Sequence, residues 1–460
     1  MPPPRITLCA VLAISACTLG ACDDDGDGGG ADSGASAPAG DGDGSGDGDA
    51  SGDGDGSGDG DGDGDGDGDG SGDGDGDGSG DGDGDGDSGL PPPSRSPVLT
   101  YCPFDDAADL TSFEGRPVIR VCHAGDARQG CDVASVADAL SQAADGTRIE
   151  IVGDGADYTE CAVIGADQRD IAIVGVCGRP HLRDVACQRK GLFLNLGANT
   201  TISHVEVSGV EISASDGGNG AAVRDQGQGN LDLSYVYFHH NQNGILGGNG
   251  VIHIDWSRFE ANGSSVDPGY THNTYFSADV DDVIIRNSVF LRAAHEGNNM
   301  KSRAQRMEFR CSVSASLDGM DSREMDISEG GELVIENSLV QQGPPSVNSG
   351  MIGFATEATN PDRRHAVQRV VIRNSDLVND KDRGTFLAYN AFNDMSLELE
   401  NVRFIGPGTT VDNTNMGADS VTETGVETLA DRATAGLPAY SIDAAQLPLP
   451  PGCPDFEYFQ

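Results

Sequence analysis

The run HEGNNMKSRAQR, residues 295–306, places Lys301 beside Arg303 and Arg306 in a chain of formal net charge −47. The chain holds only three lysines: Lys190, Lys301 and Lys381. Arginine keeps its proton in a protein, whereas a lysine amine releases it when its surroundings disfavour the charge, so Lys301 is a candidate base. Read as a strand, Met300, Ser302 and Ala304 alternate with Lys301 and Arg303, which sends both cations to one outward face. The same alternation puts Asn273 and Tyr275 outward in 270–276, and Glu324 and Asp326 outward in 323–327. Tyr275 precedes Lys301 by 26 residues, and Asp326 follows it by 25. If one turn of a coiled strand structure has that length, a phenol, an amine and a carboxylate stack about 4.8 Å apart.

That column suits proton transfer. Lys301 would be the base, its charge opposed by Arg303 and favoured by Asp326, and Tyr275 the acid. His272, Asn273, His295, Asn299 and Glu324 flank the column as candidate substrate contacts. The plainer alternative is a solvent-facing ladder in which Lys301 pairs with Asp326 or Glu324, an arrangement worth little. The surrounding segment 283–310 carries Arg286, Arg292, Lys301, Arg303, Arg306 and Arg310 against Glu296 and Glu308. A local basic surplus in an acidic chain marks a candidate anion site.

The elements that must position these residues are legible as a repeat. LDLSYVYF (231–238), IHIDWSRF (252–259), VIIRNSVF (283–290), MEFRCSVS (307–314), LVIENSLV (333–340), VVIRNSDL (370–377) and LELENVRF (397–404) share apolar first and third positions. Four of the seven have Asn at the fifth position: Asn287, Asn337, Asn374 and Asn401. Strand-type alternation recurring every 21 to 37 residues is the mark of a solenoid whose turns each contribute short strands. Recurrent Asn at one turn would stack as a ladder. The fold class expected is all-β, a parallel β-helix. SVADALSQAA (135–144) reads as an amphipathic helix before the first strands, a cap over the open N-terminal turn, and the tail from about Thr424 would close the other end.

Three organisational units follow. Residues 1–22 read as an export signal, with Arg5, an apolar stretch from Ile6 and a terminal Leu19-Gly20-Ala21-Cys22. Residues 23–98 are almost wholly Gly, Asp and Ser, with 24 Asp and one Arg, about half the net charge. So few apolar residues cannot bury a core, so a disordered acidic tether is expected, preferred over a calcium-binding tract. Residues 99–460 carry the fold and eight cysteines, six of them between Cys102 and Cys187. An even number in an exported chain suggests disulfides concentrated at the N-terminal end.

Leu19-Gly20-Ala21-Cys22 resembles the bacterial lipoprotein signal, which implies lipidation of Cys22 and attachment to the cell envelope, at the outer membrane or cell surface. The repeat resembles right-handed parallel β-helix proteins of the pectate-lyase-like kind, and the stretch EGNNMKSRA, the run DISEGG (326–331) and Gln342-Gly343-Pro344 resemble bacterial right-handed β-helix proteins. A lysine on such a face with an arginine about one coil later is similar to the alginate lyase and chondroitinase B family. That resemblance implies β-elimination on an acidic polysaccharide, with Lys301 taking the C5 proton, Arg323 assisting, and calcium held in part by Glu296. The sequence departs from the family at Ala294, where a second acidic ligand would stand. It departs again at Arg323-Glu324-Met325, where the family has Arg-His-Gly. Alternation also sends Arg323 inward with Met325 and Ile327.

Three functions remain open: a uronate-polysaccharide lyase or C5-epimerase, a non-catalytic binder of glycan or cell envelope, and a glycoside hydrolase. The last needs two carboxylates at a set separation, and Asp279, Asp281 and Asp282 sit in a turn-like context. The acidity of the chain argues against nucleic acid as a partner. A monomer is expected.

Overall fold

The computed structural model describes residues 111–454, apart from 124–129, 154, 359–363, 390–394 and 412–419. The signal and tether expected at 1–22 and 23–98 lie outside the described residues. The chain winds into three parallel sheets of twelve, ten and eleven strands, and each strand pairs with the one a turn later. Parallel strands that each pair with the strand one turn later make this a β-helix of the pectate-lyase-like kind, right-handed as parallel crossovers are.

The repeat builds the twelve-stranded sheet. Its first and third positions form two inward columns: Val283, Met307, Leu333, Val370 and Leu397 in one, Ile285, Phe309, Ile335, Ile372 and Leu399 in the other. All ten are at most 1% exposed and belong to one continuous core. The fifth position turns the corner in the left-handed region, with φ between 45° and 54° at Tyr235, Trp256, Asn287, Cys311, Asn337, Asn374 and Asn401. Asn tolerates that conformation better than most residues, which accounts for its recurrence. The expected Asn ladder is only partly formed there: Asn401 donates to Asn374 over 3.0 Å, while Asn287 donates to Asp255. The ladder instead runs through the sixth position. The backbone N–H groups of Ser257, Ser288, Ser312 and Ser338 each donate to the hydroxyl of the serine one turn on, at 3.1–3.2 Å. These serines are fully buried, so each bond satisfies a donor that water cannot reach.

A second interior ladder lines another corner. Asn241, Asn262, Asn273 and Asn299 donate one to the next, and Asn299 ends on Glu324 over 2.7 Å. The helix forms at Val136–Gln142, shorter than the 135–144 read from sequence. Ser135 caps it by accepting from the Asp138 N–H, and Val136, Ala139 and Leu140 pack into the first turns of the core.

The tail does not close the far end. After the last short strands, Val421–Thr424 and Glu427–Leu429, it doubles back along the outside of the eleven-stranded sheet. Arg432 pairs with Asp380 through two bonds of 2.7 Å, Tyr440 donates to the Leu317 carbonyl, and Arg292 donates to the Ile442 carbonyl. Leu447 packs on Val289, Leu291, Val313 and Leu317, outward residues that would otherwise be exposed apolar surface. The Cys311–Cys453 disulfide pins the end. Cys122–Cys131 and Cys161–Cys187 staple the N-terminal turns, as the cysteine distribution suggested.

Candidate functional site

The ten-stranded sheet holds the column. Around it, three-residue strands turn one central side chain outward between two inward ones: Thr274–Phe276, Met300–Ser302 and Met325–Ile327. Their register aligns Tyr275 with Lys301 and Lys301 with Asp326, and it extends from Asp326 to Gly353 on one side and from Tyr275 through Leu246 to Arg224 on the other. The inward neighbours Thr274, Phe276, Met300, Ser302, Met325 and Ile327 are at most 1% exposed, which fixes the outward residues by exclusion.

Lys301 Nζ donates to Glu357 Oε1 at 2.5 Å and lies 3.7 Å from Asp326 Oδ2. Arg303 grips the other oxygen of Glu357 and pairs with Glu329 at 2.7 Å. Burial would raise the Glu357 carboxyl, but Lys301 and Arg303 outweigh it and hold the group below the usual range. For the Arg303 guanidinium, burial acts to lower the pKa, yet Tyr275, Glu357 and Glu329 raise it above the ordinary value. Asp326 accepts from the hydroxyls of Thr356 at 2.8 Å and Ser328 at 3.2 Å.

Arg323 does not point into the core. It sits half-buried ahead of the strand, and its Nε lies so close to Gly353 that a Cβ there would meet it at 2.7 Å. Neither Arg323 nor Arg224 makes an ion pair among the described residues, and Arg323 Nε and Arg224 Nη1 have no hydrogen-bond acceptor.

Four expected substrate contacts are interior instead. Asn273, Asn299 and Glu324 are wholly buried members of the asparagine ladder, and His272 is 2% exposed. Alternation failed for Asn273 and Glu324 because each stands just before a three-residue strand, where the corner rotates its side chain inward. Glu324 accepts from Ser314 and Asn299 at 2.7 Å and also from Ser316. His272 Nδ1 accepts from the Asn298 N–H at 3.0 Å, and its ring stacks on Tyr275 with centroids 6.0 Å apart. Burial, with the charges of Lys301 and Arg303, holds His272 well below its ordinary pKa, so it is a neutral support for Tyr275. His295 and Glu296 are exposed on a tight turn with φ of 51° and 65°.

The calcium arrangement implied by the resemblance is short of one acidic ligand. Glu296 offers one carboxylate with alanine at 294, against the six to eight oxygens that calcium takes. The carboxylates near Lys301 are engaged by cations and hydroxyls. The basic surplus read along 283–310 also splits in space. Arg306 and Arg310 lie on the twelve-stranded sheet, paired with Asp282, Glu308, Glu332 and Glu336, and Arg292 holds the tail. Sequence reading missed Glu357, Glu329 and Arg224. Only Arg224 carried a usable signal, since alternation in AAVRD puts it outward between Val223 and Asp225.

No protein-family profile matches the chain, and no curated protein sequence does. Among solved structures it is similar to pectate lyase Pel9A at 13% identity and a TM-score of 0.38, covering 68% of this chain and 82% of that one. The alginate lyase of Paenibacillus sp. str. FPU-7 matches at 10% identity and a TM-score of 0.38, over 62% and 96% of the two chains. The A-module of the Azotobacter vinelandii mannuronan C-5 epimerase AlgE6 matches at 14% identity and a TM-score of 0.23, over 68% and 89%. Likeness at this level concerns the coiled architecture and carries nothing about chemistry.

Proposed function

We propose that the chain binds an acidic, uronate-bearing polysaccharide along the outer face of the ten-stranded sheet. The observation that carries this reading is a pair of guanidiniums, Arg224 and Arg323, that make no ion pair among the described residues and stand on either side of Tyr275 and Lys301. Rungs about 4.8 Å apart space these groups along a line down the face. Arginine suits the role because its planar fork meets a carboxylate through two parallel bonds. The half-buried Tyr275 ring, backed by His272, offers an amphipathic surface to a sugar. On the same reading Cys22 is lipidated and the acidic stretch 23–98 tethers the domain to the bacterial cell envelope.

A second reading, β-elimination, is favoured by one observation: Tyr275 and Lys301 stand on adjacent strands in register. Lys301 would remove the C5 proton and Tyr275 would protonate the departing O4 oxygen, leaving a C4–C5 double bond. Lys301 Nζ is engaged as a donor to Glu357, so substrate must first open that bond.

The test is retention of the purified full chain in gels containing polygalacturonate, alginate or chondroitin, run beside Arg323→Ala and Lys301→Ala, with ultraviolet absorbance followed in parallel. Retention on at least one polymer, lost in Arg323→Ala while the melting temperature holds, supports binding. Retention on none sinks it. Absorbance growth abolished in Lys301→Ala establishes elimination, and retention without growth leaves a binding module.

A further inference from the structure

A second cluster stands on a different face. On the eleven-stranded sheet, His181, Glu206 and His239 come from three successive turns, within the strands His181–Arg183, Glu206–Ser208 and Tyr237–His239. The middle residues Leu182, Val207 and Phe238 are fully buried, so the flanking side chains project outward together. Glu206 is central: its Oε1 lies 3.3 Å from His239 Nε2 and 3.9 Å from His181 Nε2. The three donor atoms all lie within 4.8 Å of one another. We propose that His181, Glu206 and His239 bind one divalent transition-metal ion of the zinc class.

The geometry is close to what such an ion requires. Bonds of about 2.0–2.1 Å at tetrahedral angles separate ligand atoms by about 3.3 Å, so one of the three pairs already fits and the other two, at 3.9 Å and within 4.8 Å, close by rotamer adjustment. Two imidazoles and a carboxylate suit zinc and its neighbours rather than calcium, which takes oxygen ligands. The imidazole that would ligate through Nε2 is also oriented from behind: His181 Nδ1 lies 3.0 Å from Asp157 Oδ1. A carboxylate on the far nitrogen sets the tautomer that presents a free Nε2 lone pair, an arrangement usual behind metal-bound histidine. Ser208 Oγ lies 2.7 Å from His181 Nε2, a hydroxyl within reach of the same position.

The surrounding charge works in both directions. Arg179 acts on Glu206, and Arg183 pairs with Asp157 at 3.3 Å, so the two carboxylates face two guanidiniums before any ion enters. Burial would raise the Glu206 carboxyl, but its hydrogen bond with His239 and the charges of His181, His239 and Arg179 hold it at about 2. Without an ion the same groups form a plain imidazole–carboxylate network, and that is the alternative to be separated.

The full chain, stripped with chelator, is titrated with Zn²⁺ against a chromophoric competitor and separately with Co²⁺, whose visible absorption is strong in a tetrahedral site with imidazole ligands and weak in an octahedral all-oxygen one. The Asp-rich stretch 23–98 offers oxygen ligands only, so it does not reproduce that spectrum. The expected result is one equivalent of Zn²⁺ bound far more tightly than any further equivalent. That site should be lost in His181→Ala and His239→Ala, and weakened roughly 10–100-fold in Asp157→Asn, which removes the orienting carboxylate along with its ion pair to Arg183. Glu206→Gln, which keeps the shape, carries the test if a histidine variant does not fold. Uptake and Co²⁺ spectrum unchanged in Glu206→Gln and the histidine variants, or no tight equivalent in the parent chain, overturns the site.

Discussion

Glu324→Gln separates a structural carboxylate from a functional one, and its effect depends on pH. Glu324 is wholly buried beside the equally buried Asp321. Burial drives the Glu324 carboxyl up from its ordinary 4.5 to about 7, against the hydrogen bonds from Ser316, Ser314 and Asn299 that favour the charged form. Asp321 is raised too, first by burial and then by the charge of Glu324. The folded protein thus holds a proton at Glu324 that the unfolded chain has lost. Stability from this group is complete below pH 4.5 and falls as pH rises through 7. At 1.36 kcal/mol for each pH unit, the loss across that interval is about 3 kcal/mol. Other groups titrate nearby in the opposite sense. His204, held at about 4 by burial and Arg179, and His272, also depressed, add stability as pH rises toward 6.5. The informative quantity is therefore the difference between parent and variant. Chemical denaturation from pH 5 to pH 8 should show Glu324→Gln gaining on the parent by about 3 kcal/mol as pH rises. Parallel curves would show that Glu324 carries no extra proton in the fold, and the argument from burial would fall.

Two further outcomes follow from the same geometry. Removing the Cys311–Cys453 bridge as the double serine variant frees a loop of 142 residues, so thermal or urea unfolding should show a loss of up to about 5 kcal/mol, with protease cleavage appearing first in the tail. An unchanged midpoint and an uncut tail would mean that Arg432, Tyr440 and Leu447 suffice to hold it. Gly353→Ala places a methyl carbon against Arg323 Nε, a side chain able to swing away, so retention on the acidic polymer should weaken several-fold while the melting temperature stays within a few degrees. Retention equal to the parent would show that Arg323 is not held across Gly353 for binding.

Much of this fold is written in the sequence, because a solenoid repeats one local solution. The apolar first and third positions of the 283–290 type segment face the core at every turn. The fifth position is dictated by the left-handed corner, so Asn is frequent, yet Tyr235, Trp256 and Cys311 meet the same backbone demand with other side chains. The alignment of Tyr275, Lys301 and Asp326 was legible for the same reason: spacings of 26 and 25 are two nearly equal turns. The orientation of Asn273 and Glu324 was not, since alternation holds only while the backbone is extended. At a strand of three residues that rule reaches one residue either side of the centre and stops.

The same limit explains why the carboxylate that most shapes the site was missed. Each three-residue strand presents one outward side chain, so a site on this face must be a column drawn from different turns, supplemented by whatever the corners fold over it. From Asp326 to its partner Gly353 is 27 residues, but from Gly353 to Ala388 is 35. The longer turn leaves the strand at Phe354 and sends Thr356 and Glu357 back over the preceding turns, where they reach Asp326, Lys301 and Arg303. His365, later in the same excursion, lies 2.9 Å from the Arg303 carbonyl. A regular period predicts which residues align and is silent about an insertion that lengthens one corner. Here that insertion brings the Glu357 carboxylate onto Lys301 and Arg303. On the proposed reading, whether the face grips a carboxylate or moves a proton depends on how easily a ligand displaces Glu357, more than on the column that the spacing revealed.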